Sequence, residues 1–118
     1  MRVLFDHNLP HKLRAELGKL CQGEIVTASY MGWRNLKNGD LLRVAEEIGF
    51  QVFVTGDQTL VHEQDLAGRR LAILALSANN WPIIKDYVRD ILTAIDSVIP
   101  GSFQTVECGL FSRKKSNQ

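Results

Sequence analysis

Three aspartates stand where apolar segments give way to turns or where a helix begins. Asp6 follows Val3-Leu4-Phe5, Asp57 closes the stretch VFVTGD, and Asp40 lies in NGDLL. If the fold draws them together, two unit charges about 4 Å apart repel by roughly 4 kcal/mol at an effective dielectric near 20. A proton or a hard divalent cation offsets that cost, and at neutral pH Mg²⁺ or Mn²⁺ with several waters suits such a set of carboxylates. A cation so held can activate water, orient a phosphodiester and neutralise charge on a leaving oxygen. The chemistry indicated is phosphodiester hydrolysis. Asn8, Thr55, Asn79 and Asn80 are neutral hydrogen-bonding residues expected near the same place, suited to metal-bound water or a phosphate oxygen.

Whether these groups meet depends on the elements that carry them. Apolar periodicity alternates between strand-like and helix-like segments along the chain. Arg2–Phe5, Glu24–Ala28, the VFVT stretch and Leu71–Leu76 read as strands, and Phe103–Cys108 as a fifth. Between them, Asn8 is placed to cap a helix with Pro10 in its first turn and Leu9, Leu13 and Leu17 on one face. Asn38-Gly39-Asp40 opens a helix that Gly49 ends. Thr59 to Gly68 reads as a short polar segment, and a long helix carries Ile83, Ile84, Val88, Ile91, Leu92 and Ile95 inward until Pro100-Gly101 breaks it.

This order calls for an α/β fold of three layers, α/β/α, around a mostly parallel central sheet of four to five strands. Ligands of such sheets gather at the carboxyl ends of the strands. Asp6, Asp57 and the start of the Asp40 helix all belong at that edge.

LFDHNLP at 4–10, NGDLLRVAEE at 38–47 and VFVTGDQTL at 52–60 resemble signatures of the PIN-like proteins of the DUF5615 family, close in pattern to the Mut7-C domain. The resemblance spans nearly the whole chain, its specificity lying in the order and spacing of the motifs. It implies a metal-dependent endoribonuclease of single-stranded RNA, often the toxin of a toxin–antitoxin pair. Asp6, Asp40 and Asp57 would be its catalytic and metal-holding residues, Mg²⁺ or Mn²⁺ its cofactor, and an antitoxin protein its partner, with a homodimer left open. The chain departs from many relatives after Asp57, where Gln58-Thr59-Leu60 replaces a second charged residue and a phenylalanine. Glu63 and Asp65 are the candidates for a fourth acidic ligand.

Other readings compete. Each aspartate also has a structural use, Asp40 above all as a helix cap or first-turn residue. His7, His11 and His62 lack the one-face spacing of a zinc site. Tyr30, Trp33, Arg34 and Lys37 sit in a long loop and suit stacking on single-stranded bases and holding phosphates, or a lid, or a partner's docking site. A receiver-like signalling domain phosphorylated on Asp57 shares the alternation, although His7 follows Asp6 where receivers carry a second acid, and the last strand candidate runs Gln104-Thr105-Val106-Glu107-Cys108 where receivers show a lysine after the fifth strand. An inactive PIN-like binding module is the third possibility.

With 118 residues, 45% of them hydrophobic, the chain has enough apolar material for one core. A single PIN-like domain over 1–111 and a disordered basic tail over 112–118 are expected. The net charge of +1 demands no polyanionic partner, so attraction for RNA must be local. Cys21 and Cys108 fit no disulfide framework. Without a signal-peptide pattern or a run of about 20 apolar residues, a cytoplasmic protein that does not enter the membrane is expected.

Overall fold

The computed structural model describes residues 1–21, 23–57 and 69–108, with no account of the Asn38 side chain. The polar segment at 59–68, with Glu63 and Asp65, and the basic tail at 112–118 lie outside the described residues.

Five strands form one sheet: β1 (Arg2–Phe5), β2 (Glu24–Thr27), β3 (Val52–Thr55), β4 (Ala72–Leu76) and β5 (Phe103–Val106). All four pairings are parallel, in the order β2-β1-β3-β4-β5. Strands β1, β3 and β4 are nearly continuous runs of apolar residues because helices cover both their faces.

Alternation along the strands sorts side chains into two cores. Val3, Phe5, Val52, Val54, Leu74 and Leu76 face helix α1 (His11–Leu20) and the helices after β4. Leu4, Val26, Phe53 and Ile73 face helix α2 (Asn38–Ile48), which contributes Leu41, Leu42 and Ala45. The expected three-layer α/β/α arrangement is therefore present. Gly49 terminates α2 in the left-handed region, at φ 107°, where a side chain would be strained.

Two helix expectations need correction. Asn8 does not cap α1: Pro10 occupies the cap position, no side chain caps the helix, and the Asn8 amide oxygen instead accepts the Gly56 N–H at 3.4 Å. The long inward-facing helix is also broken into α3 (Trp81–Ile84), a 3₁₀ turn at Lys85–Tyr87 and α4 (Val88–Asp96). Tyr87 leaves helical geometry, at φ −117° and ψ 14°, while packing against the core, and the helix restarts at Val88. Among the described residues, no helix is long and apolar enough to cross a membrane.

Candidate functional site

The chain winds from β1 outward to β2, then crosses back to β3 and continues through β4 to β5. The direction of winding thus reverses between β1 and β3, the point at which an open parallel sheet forms a crevice beyond its carboxyl ends. Asp6 lies immediately after β1 and Asp57 two residues after β3. These carboxylates flank that reversal.

The β1–β3 register pairs Phe5 with Val54, so the next residues, Asp6 and Thr55, come side by side. Asp6 is 6% exposed and Thr55 fully buried, and the Asp6 N–H donates to the Val54 carbonyl at 2.9 Å. The Thr55 hydroxyl donates to Asp6 Oδ2 at 2.7 Å, and Thr55 Oγ1 accepts the Asp57 N–H at 3.0 Å. One buried hydroxyl thus ties the backbone of one aspartate to the carboxylate of the other.

On its other oxygen, Asp6 accepts the His7 N–H at 2.8 Å, and His7 Nδ1 lies 3.1 Å from the same Oδ1. The His7 N–H and the Thr55 hydroxyl take two of the roughly four lone-pair positions of the carboxylate and His7 Nδ1 lies against a third, which leaves one for a cation. His7 is the contributor to this site that sequence reasoning missed. The signal for it in the sequence is its adjacency to Asp6.

Asn8 and Asn79 complete the shelf. Asn8 reaches Gly56 as described, and a Cβ placed on Gly56 would lie 2.9 Å from the Cβ of Asn79. Only a residue without a side chain lets the tip of β3 pass this close to the loop after β4. Asn80 holds the start of α3 through its carbonyl, which accepts the Ile83 and Ile84 N–H groups, and no side-chain cap is formed.

Asp40 stands differently. It occupies the first turn of α2, its side chain is 61% exposed, and it pairs with Arg43 one turn along at 3.6 Å. Among the described residues, no three His, Cys, Asp or Glu side chains form a group able to hold a metal ion, so 6, 40 and 57 are not gathered around one centre. Mg²⁺, however, is commonly bound through only one or two carboxylates, with waters completing its shell. The hard oxygens of Asp6, Asp57 and the neighbouring amides fit that requirement.

Arg34 and Lys37 are exposed in the loop before α2, and neither forms an ion pair with a described residue. Tyr30 is 82% exposed. Trp33 instead packs edge-on against Phe50, with ring centroids 6.1 Å apart, and so serves the α2-side core.

Two larger cavities have linings that do not include Asp6, Asp40 or Asp57. One, of about 360 Å³, includes Phe50, Leu71, Val98 and Pro100, and the other, of about 500 Å³, includes Glu16, Trp81 and Arg89. Comparison with protein-family models, curated proteins and solved structures gives no match.

Proposed function

We propose that the chain is a PIN-like, metal-dependent endoribonuclease of single-stranded RNA, acting as the toxin of a toxin–antitoxin pair, with its site at the β1/β3 reversal. The observation that carries this reading is the Asp6–Thr55–Asp57 arrangement: one buried hydroxyl on adjacent strand ends holds the carboxylate of Asp6 and the backbone N–H of Asp57. Asp6 and Asp57 would hold Mg²⁺ or Mn²⁺, which supplies Lewis acidity toward a phosphodiester. Thr55 orients Asp6, and the amides of Asn8 and Asn79 would position phosphate oxygens. Asp40 would join the set only by giving up Arg43. The toxin role, and an antitoxin protein as partner, rest on the resemblance of the three sequence motifs.

The test is cleavage of end-labelled single-stranded RNA by purified protein, with Mn²⁺ or Mg²⁺ and with chelator. Metal-dependent cleavage lost in Asp6→Asn and Asp57→Asn supports the proposal, whereas cleavage unchanged in both removes the site. RNA association without turnover would identify the binding module instead.

A receiver-like domain is favoured by one observation, the placement of Asp57 beyond β3 in a parallel sheet whose winding reverses between β1 and β3. Against it, Asp6 is followed by His7, and Glu107 and Cys108 rather than lysine follow β5. Intact mass after incubation with a small phosphodonor decides, since a single acyl phosphate on Asp57 would establish this reading.

A further inference from the structure

Beside Asp6, the tips of β1 and β2 and the first turns of α1 enclose a notch of about 20 Å³, lined by His7, His11, Arg14, Thr27 and Ser29 among others. That volume admits a single water and no phosphate. Its rim is another matter. His11 and Arg14 are exposed, and Arg14 forms no ion pair with a described residue.

The charge here is concentrated. Two cations, Lys12 and Arg14, and two further hydrogen-bonding rings, His7 and His11, fall within eight consecutive residues that contain no acid. The first turn of α1 contains no acidic residue and has no side-chain cap, so the field at the start of this ten-residue helix adds to the basic side chains. Asp6, the carboxylate in the notch, is 6% exposed and held by the His7 N–H and the Thr55 hydroxyl. The outer surface is therefore cationic beside a withdrawn anion.

Ser29 on the notch leads directly to Tyr30, whose ring is solvated. The Thr27 hydroxyl accepts the Tyr30 N–H at 3.0 Å, anchoring the backbone that carries the ring. A cation for a phosphate next to an anchored, exposed aromatic face for a base is the combination that binds single strands without sequence preference.

We propose that single-stranded RNA leaves the Asp6–Asp57 site over the tips of β1 and β2, with a backbone phosphate on the Arg14–His11 rim and a base stacked on Tyr30. This track rests on the RNA reading above and gives the strand a side of the molecule to follow. It assigns binding to α1 and the β2 tip, in addition to Arg34 and Lys37.

The experiment measures binding without cleavage, so that it separates the track from the nuclease. Fluorescence anisotropy of a labelled oligouridine is followed in chelator across a salt series for wild type, Arg14→Gln, Tyr30→Ala and Arg89→Gln, the last altering an exposed cation on α4. Matching thermal melts establish that all four are folded. Tyr30→Ala is expected to weaken binding at least about fivefold, the lower end for a lost base stack. Arg14→Gln is expected to reduce the slope of log affinity against log salt by about 0.7, the loss of one phosphate contact. Arg89→Gln should match wild type.

If wild type binds and neither Arg14→Gln nor Tyr30→Ala differs from Arg89→Gln, the track is wrong while RNA binding stands. If wild type does not bind oligouridine in low salt, the track is also wrong. The metal-dependent cleavage assay then judges the nuclease separately.

Discussion

The hydroxyl of Thr55 donates to the carboxylate of Asp6 at 2.7 Å although the two residues are 49 positions apart in sequence. The bond exists because β1 and β3 are neighbours in register, and it is buried. It therefore serves both folding and the shape of the site.

Replacing Thr55 with valine keeps the volume and removes the hydroxyl. Asp6 Oδ2 and the Asp57 N–H each lose this partner, and leaving a buried polar group unsatisfied costs about 1–3 kcal/mol. Urea titration should show that loss for Thr55→Val and most of the stability retained in Thr55→Ser. A valine variant as stable as wild type would show that the hydroxyl is dispensable.

Gly56→Ala should destabilise the protein by about 1–3 kcal/mol, the usual cost of forcing an extra carbon into a packed contact. The obstacle is the Asn79 Cβ, 2.9 Å from the added atom. Asn79→Gly in the same chain removes it, so the double variant should recover part of the loss. Equal melting temperatures for the single and double variants would exclude this contact as the cause.

Asp40 and Asp6 should respond differently to the same chemical change. Asp40→Asn removes an exposed ion pair of the kind worth about 0–1 kcal/mol, and a first-turn charge that contributes about 0.3–1 kcal/mol. The melt should fall slightly and RNA cleavage should largely persist, while Asp6→Asn abolishes cleavage. Complete loss of cleavage in Asp40→Asn would show that Asp40 leaves Arg43 to join the site.

Burial pushes the Cys108 thiol above its ordinary value of 9.0, with Asp90 and Glu107 adding to the rise and a hydrogen bond from the Ser77 backbone opposing it in part. The folded state therefore holds this proton more tightly than the unfolded state. Stability from this group is intact below the unfolded thiol's titration and is lost as pH rises from about 9 through the higher folded value. Denaturant midpoints measured from pH 8 upward should fall more steeply in wild type than in Cys108→Ala. Parallel curves would contradict the prediction.

The strands were legible because β1, β3 and β4 are short apolar runs bounded by polar residues or glycine, and Arg2–Phe5 has the same limits in sequence and structure. Gly49 marked the end of α2 for the reason now visible in its positive φ. Strand order was not legible, since nothing local states that β1 lies between β2 and β3. That nonlocal fact sets Asp6 beside Thr55 and leaves Asp40 paired with its own helix. Asn8 misled because a cap and a turn residue share composition, and its amide was drawn to Gly56 across the sheet edge.

Trp33 and Trp81, the chain's two tryptophans, pack against opposite cores, the first beside Phe50 and the second against the α1 side. Each indole is a private optical reporter of its own layer. Replacing either with phenylalanine leaves an emission signal that follows one half of the sandwich, so fluorescence can reveal whether the halves melt together.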